Sequence, residues 1–352
     1  MARLLYMPML RSKAGEAVAL THLAGSMKQH VFPIAHLTQF PPATFAAAAA
    51  AAWCGCGMAL DGQFQSDMLG STRGFEQMFD QIGRGKVALI PSIECGAMTP
   101  YLTAVQSVRD RFAHGVLLKA RPRQLHDALA WCTAQGWAAA ETDLVVNLGD
   151  IAGYDAETLA SAVVRAILDH IPDPSPWRSL TLAASAAPRD DSGLLPGRNV
   201  VPRTEWKVWR AVAKSIPQPL NYADSLTAHP DLSDPPGYAV ARGLVSVRYT
   251  AADEWIIFRG DPVGGAAPHA MASQYFAHAT ALATDPEFGG LKACWADDRI
   301  REIASGAPGG GSRSVWTAIV ASRHLALVTG QMSGVAQIGS AGSHAQSGTA
   351  SF

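Results

Sequence analysis

Short apolar runs alternate with helical patterns along most of the chain. The apolar runs predict strands at 4–10, 31–37, 58–61, 87–93, 115–119, 144–148, 180–183 and 220–222. Helical spacing predicts helices at 15–24, after the proline pair at 41–42, and at about 72–82, 100–112, 123–135, 156–171 and 204–216. This alternation is typical of βαβ units and a parallel sheet. Eight periods favour an α/β protein with a (β/α)8, TIM-barrel-like fold over an open sheet.

The helix that follows Asp155 illustrates the evidence. Asp155 is a good N-cap residue, and Leu159, Val163 and Ile167 recur every four residues on one face. Pro172 cannot continue the helix. The pattern therefore predicts a helix with one apolar face against the sheet.

An inserted β-hairpin is predicted at about 244–260, within the stretch SVRYTAADEWIIFRGD. The turn is formed either by Ala252-Asp253 or by the four residues 251–254. Both turns give the same register, in which Arg248 lies opposite Ile257 and Ser246 lies opposite Arg259. The two arginines are then diagonal neighbours on a face with Thr250, and we expect them to need a shared carboxylate or an anionic ligand. A three-residue loop would instead place them on opposite faces. The other face can be buried dry and consists of Val247, Tyr249, Ile256 and Phe258.

The segment after the hairpin is predicted to be a C-terminal elaboration at about 269–332. Its pattern indicates helices near 271–284, 297–305 and 314–321, and a strand at 324–329. Residues 1–332 are expected to form a single domain. The last residues, 333–352, are mostly Gly, Ser and Ala and are predicted to be a flexible tail.

Composition narrows the function classes. A hydrophobic fraction of 48% provides a large core, and a formal net charge of -1 provides no global field for nucleic acid or an acidic membrane surface. Five cysteines without CxxC pairs indicate reduced thiols. No apolar run is long enough for a membrane span. We therefore expect a cytoplasmic protein without membrane or nucleic-acid partners.

Basic side chains stand out among the polar residues near the predicted strand ends, where the active sites of (β/α)8 barrels lie. They predict a pocket at the barrel mouth for an anion such as a phosphate or carboxylate. A glycine-rich loop at 306–311 is expected to bring Arg313 over the barrel mouth. The alternative is that they are solvated rim charges or internal ion pairs, such as Lys119 with Glu94. The candidate ligand-binding residues are Arg11, Lys13, Lys119, Arg248, Arg259 and Arg313.

Carboxylates and histidines provide the candidates for catalysis. Asp61, Glu94, Asp150 and Asp224 follow predicted strands and could support acid–base chemistry or Mg²⁺, although no spacing locks two of them together as metal ligands. His229 and His324 are acid–base candidates because histidine titrates near neutral pH. The sequence does not identify a cofactor, and we assign no metal-binding residues.

Five motifs, in order, resemble those of the beta family proteins, which are named after a protein of a T-even bacteriophage. They are YMPMLRSKAGEAVAL, WRSLTLAASAAP, VPRTEWKVW, VRYTAADEWIIFRG, and SGAPGGGSRSVW running into SRHLALV. The resemblance spans residues 6–331 and implies a barrel-like α/β fold in a phage, prophage or anti-phage defence context, without a defined activity. The sequence departs from the family pattern at Arg323-His324, where a histidine pair is expected, and at Trp316-Thr317, where the pattern has Trp-Arg.

Three functions follow as hypotheses. The first is binding of an anionic small molecule at the barrel mouth. The second is a metal-assisted hydrolase or phosphoesterase that uses the mouth carboxylates. The third is a non-catalytic scaffold for a partner protein.

Overall fold

The computed structural model describes residues 5–233, 243–264, 270–289 and 294–345. Eight parallel strands form one sheet in chain order, as predicted. A parallel bridge joins Tyr6 to Tyr222, and the Met9 amide donates to the Asp224 carbonyl oxygen at 2.7 Å, which closes the sheet into a barrel. The barrel strands are β1 (Met9–Arg11), β2 (Ile34–His36), β3 (Gly57–Asp61), β4 (Ala88–Glu94), β5 (Val116–Ala120), β6 (Thr142–Asp150), β7 (Ser179–Ser185) and β9 (Leu220–Ala223).

Helices connect these strands. Asp155 caps its helix as predicted, since its carboxylate accepts from the Thr158 amide at 2.9 Å. Residue 4, the first of the strand predicted at 4–10, lies outside the described part of the chain. The connecting helices are α1 (Ala14–Thr21), α2 (Gly25–Lys28), α3 (Phe45–Trp53), α4 (Gln63–Leu69), α5 (Arg73–Gly83), α6 (Thr99–Phe112), α7 (Leu125–Ala134), α8 (Ala156–His170) and α9 (Thr204–Ser215).

The barrel interior changes from apolar to polar toward the carboxyl ends of the strands. An apolar layer contains Met9, Ile34, Ala59, Ile90, Leu117, Val145, Ala183 and Ala223. Side chains alternate along a strand with a period of two, so the next inward-facing layer lies two residues further on. That layer contains Arg11, His36, Asp61, Ser92, Lys119, Asn147, Ser185 and Ser225. The fold thus concentrates polar groups at the barrel mouth.

A second, antiparallel sheet contains the predicted hairpin. Its strands are β10 (Leu244–Thr250), β11 (Glu254–Pro262) and β8 (Gly197–Pro202), which pairs with β11 and was not predicted. The predicted register is confirmed: Thr250 faces Trp255, Arg248 faces Ile257, and Ser246 faces Arg259. The predicted dry face forms a second hydrophobic core with the helices that follow.

The C-terminal helices are α10 (Met271–Ala283), α11 (Trp295–Ala304) and α12 (Arg313–Ala345). The strand predicted at 324–329 is wrong, because this segment lies inside α12. Leu325, Val328 and Met332 recur at helical spacing and pack into the barrel core, while Trp316 and Ile319 pack into the second core. The helix therefore joins the two cores.

The tail predicted at 333–352 begins within the last turns of α12, and residues 346–352 lie outside the described part. In the ranges that the structure describes, no helix combines the length and the apolar character needed to cross a membrane.

Candidate functional site

A cavity of about 290 Å³ opens at the carboxyl ends of the barrel strands. We call it the mouth cavity. Gln63 and Phe64 at the start of α4, Glu94 at the end of β4, and His229 in the loop after β9 complete much of its wall. Six members of the polar layer line it, namely Arg11, His36, Asp61, Lys119, Asn147 and Ser225.

Lys119 and Asp61 form a buried ion pair in this cavity. Lys119 Nζ lies 2.6 Å from Asp61 Oδ2 and 3.3 Å from Glu94 Oε1, and the Ser92 hydroxyl donates to Asp61 Oδ2 at 2.8 Å. Burial alone would raise the pKa of Asp61, but Lys119 and His36 lower it below its usual value. Burial alone would lower the pKa of Lys119, but Asp61 and Glu94 raise it. Both groups are therefore charged at neutral pH.

His36 lies beside this pair without joining it by a hydrogen bond. Its Nδ1 is 3.8 Å from Asp61 Oδ2, and the residue is 8% exposed. Burial lowers the pKa of His36 to about 4, so the ring is neutral at physiological pH. Within the described part of the chain, its ring makes no hydrogen bond, and it lines the mouth cavity.

His229 pairs with Asp150 at the rim. Its Nε2 lies 3.1 Å from Asp150 Oδ2, and its Nδ1 accepts from the Asp231 amide at 3.1 Å. A main-chain amide can only donate, so the proton of neutral His229 lies on Nε2 and points to Asp150. Both ring nitrogens are occupied, and the ring therefore positions the loop in this conformation.

A second cavity, of about 620 Å³, adjoins the first and shares Arg11 and His229 with it. It lies between the loops after β1, β7 and β9 and the start of α12. We call it the basic cleft. Five basic side chains line it, namely Arg11, Lys13, Arg189, Arg248 and Arg313.

Two of these arginines have carboxylate partners. Arg248 Nη2 donates to Asp191 Oδ1 at 2.9 Å, and Arg189 Nη2 donates to Asp231 Oδ2 at 2.6 Å. Arg11 differs, because its guanidinium donates to main-chain carbonyl oxygens, including that of His229 at 2.7 Å. Carbonyl groups are dipoles without a net charge, so these hydrogen bonds do not themselves neutralise the Arg11 guanidinium.

Glu16, near the start of α1, is a buried acid in the wall of the cleft. Its carboxylate accepts from the Arg11 amide. Burial raises the pKa of Glu16 to about 7, although the amide of Arg11 and the charges of Arg11 and Lys13 act in the opposite direction. The cleft therefore becomes more positive as the pH falls through neutrality.

The two hairpin arginines have different environments. Arg248 lines the basic cleft and pairs with Asp191, a carboxylate that the two arginines do not share. Arg259 is among the lining residues of neither cavity, and its Nε is buried with no hydrogen-bond acceptor in the described ranges. The structure thus brings only one of them to the mouth.

Asp224 and His324 come together away from both cavities. Both are buried, and His324 Nε2 lies 2.8 Å from Asp224 Oδ2. Asp224 also accepts from the hydroxyls of Tyr6 and Tyr222, at 2.7 and 2.8 Å, and Thr250 Oγ1 lies 3.0 Å from His324 Nδ1. This network joins the barrel to α12.

The six catalytic candidates therefore fall into separate groups. Asp61 and Glu94 share Lys119, Asp150 pairs with His229, and Asp224 pairs with His324. Among the described residues, no three His, Cys, Asp or Glu side chains are arranged as ligands for a metal ion.

Sequence reasoning missed several residues of these cavities, including Ser225, Arg189 and Glu16. Ser225 follows the apolar residue Ala223 by two positions, and strand periodicity could have found it. Arg189 lies four residues beyond the end of β7, in a loop whose path no local pattern gives. Glu16 looks like an ordinary acidic residue in a first helical turn, and only tertiary packing shows that it is buried.

The family model described as Beta protein matches residues 6–330. No curated protein matches the chain. A solved structure of Mycobacterium tuberculosis tryptophan synthase is 12% identical, covers 63% of this chain and 75% of its own, and has a TM-score of 0.31. The barrel assignment rests on the strand order and closure described above.

Proposed function

The chain belongs to the beta protein family, and on the basis of the two cavities we propose that it binds a phosphate- or carboxylate-bearing ligand at the barrel mouth. Five basic side chains line one cleft in a chain whose formal net charge is -1. This local concentration of positive charge is the observation that carries the proposal.

The position of the cleft supports the same function. Phosphate sites of (β/α)8 barrels are frequently built from the loops after the seventh and eighth strands and the N-terminus of an extra helix. Here Arg189 follows the seventh barrel strand, Thr227 follows the eighth, and Arg313 and Ser314 begin α12. The amides in the first turn of a helix attract anions because they have no carbonyl partner within the helix.

Family membership and composition supply the setting of this proposal. The resemblance to beta family proteins supports a phage, prophage or anti-phage defence context. The five unpaired cysteines support a cytoplasmic location.

The metal-assisted alternative has less support. Lys119 Nζ contacts both Asp61 and Glu94, so an ammonium group occupies the position from which a metal ion would bridge these carboxylates. Asp224 is buried against His324 and cannot join them.

Titration with sulfate tests the proposal, since sulfate keeps its charge across the neutral pH range. We expect calorimetric binding to wild type and roughly tenfold weaker binding to Arg189→Gln and Arg248→Gln, because a hydrogen bond to a charged group contributes on the order of 1.5 kcal/mol. The matched control is Arg259→Gln, which removes an arginine outside both cavities.

Thermal unfolding of each variant establishes that it is folded. The proposal is wrong if wild type binds no sulfate, and also if Arg259→Gln weakens binding as much as Arg189→Gln. In the first case the scaffold hypothesis takes its place.

A further inference from the structure

His36 presents unused hydrogen-bonding capacity to the mouth cavity. The residue is 8% exposed and its side chain 11%, and the ring has no hydrogen-bond partner within the described ranges. His36 lines the cavity, so a ligand or water that enters it can satisfy the ring nitrogens. Because the ring is neutral, one nitrogen can donate a hydrogen bond while the other accepts one.

The rest of the wall also mixes donors with acceptors. Lys119 donates and the half-exposed Glu94 accepts. Gln63 and Asn147 can donate through their NH2 groups, while their side-chain oxygens already accept from the amides of Glu94 and Gly149. Hydroxyl groups match such a wall because each of them donates and accepts. Phe64 adds one aromatic ring, against which the C–H face of a sugar ring can pack.

We propose that the mouth cavity binds the hydroxyl-bearing ring of a sugar phosphate whose phosphate group lies in the basic cleft. The inference rests on the anion-binding function proposed above and adds a ligand class to it. Arg11 and His229 line both cavities, so one ligand can extend from the cleft into the mouth.

The size of the mouth cavity supports a single sugar ring. Its volume of about 290 Å³ lies at the lower end of the range for small-molecule sites, which is roughly 300–1,000 Å³. The phosphate would remain in the wider cleft, where basic side chains surround it.

Calorimetry with glucose 6-phosphate, ribose 5-phosphate and inorganic phosphate, at one pH, tests the inference. We expect at least one sugar phosphate to bind ten times more tightly than inorganic phosphate. His36→Phe and Glu94→Gln should remove this advantage and leave the affinity for inorganic phosphate unchanged. Glu94 is half-exposed, so its variant keeps the test valid if His36→Phe does not fold.

The outcomes separate the two proposals. If inorganic phosphate binds and neither sugar phosphate binds more tightly, the sugar assignment is wrong and anion binding stands. If neither inorganic phosphate nor sulfate binds, the proposed function itself fails. If a sugar phosphate binds tightly but both variants retain the full advantage, the ring does not occupy the mouth cavity and the inference is overturned.

Discussion

Asp224 and Ser225 are consecutive residues that lie on opposite sides of the barrel wall. Asp224 points outward, where its buried carboxylate contacts His324 of α12 at 2.8 Å. Ser225 points inward and lines the mouth cavity. Burial alone would raise the pKa of Asp224, but His324, the Tyr6 hydroxyl and Arg203 lower it. Asp224 is therefore an ionised acceptor that holds α12 on the barrel.

We expect Asp224→Asn to reduce the free energy of unfolding by about 3 kcal/mol or more, because an amide cannot replace a buried carboxylate that accepts from several donors. Urea unfolding at pH 7 measures this. The matched control is Asp80→Asn, which breaks the solvent-exposed pair with Arg111 and should cost less than about 1 kcal/mol. Equal losses in the two variants would contradict the structural role of Asp224.

The contrast between Asp224 and Ser225 also shows how far the sequence could predict the site. Strand alternation located the barrel and placed Arg11 and Lys119 near the strand ends, where both line the mouth cavity. An error of one residue at a strand end exchanges the inner and outer faces, so Asp224 was predicted where Ser225 lies. The run that contains His324 is apolar enough for a strand, and only its packing between two cores shows that it is helical.

Gly15 sets the distance between α1 and α12 beside the basic cleft. A Cβ added there would lie 2.7 Å from the Ser314 carbonyl oxygen and 2.8 Å from Thr317 Cβ. We expect Gly15→Ala to lower the free energy of unfolding by about 1–2 kcal/mol despite the higher helix propensity of alanine. Sulfate binding should weaken as well, because Lys13 and Arg313 would move apart.

The control for this prediction is Gly330→Ala in α12. No heavy atom lies within 4 Å of the added Cβ at that exposed position, so alanine should stabilise the helix by roughly 0.5–1 kcal/mol. Chemical denaturation of both variants measures the change in the free energy of unfolding. A stabilised Gly15→Ala protein would show that α1 and α12 do not make this close contact.

Glu16 should make stability depend on pH near neutrality. Its pKa in the folded protein, about 7, lies above its value in the unfolded chain, so the folded state binds more protons between these values. Stability from this group is present at low pH and is lost as the pH rises toward and through 7. Between pH 6.5 and 8 the loss is about 1 kcal/mol, and we expect Glu16→Gln to remove it.

Two features isolate the effect of Glu16. Glu205, whose pKa burial also raises to about 7, contributes equally to wild type and variant, so it cancels in the comparison. His36 has a lowered pKa and acts in the opposite direction as the pH rises through its ordinary value, but it too is present in both proteins and cancels in the comparison. Identical pH profiles for wild type and Glu16→Gln would refute the prediction.

The same residue should couple anion binding to protons. Glu16 lines the basic cleft, so its carboxylate opposes an anion at pH 8 and, when protonated at pH 6, no longer does. We expect sulfate to bind wild type several times more tightly at pH 6 than at pH 8. In Glu16→Gln the ratio of the sulfate affinity at pH 6 to that at pH 8 should fall measurably. Calorimetry in buffers of different ionisation enthalpy should show that this variant takes up fewer protons than wild type when sulfate binds. An unchanged ratio and proton uptake would show that Glu16 does not influence the bound anion.

Lys119 and Asp61 provide the last prediction, which concerns the base of the mouth cavity. Asp61 is 2% exposed, so Lys119→Met would leave a buried carboxylate without its cationic partner, and we expect a loss of about 3–5 kcal/mol in the free energy of unfolding. The double variant Lys119→Met with Asp61→Leu should recover much of this loss, because it removes both charges.

Lys119→Met alone should regain stability as the pH falls, since Asp61 without Lys119 would take up a proton more readily. Urea unfolding of the complete double-mutant cycle measures the coupling between the two residues. Additive losses, with no pH dependence specific to Lys119→Met, would show that the pair is not coupled in the folded protein.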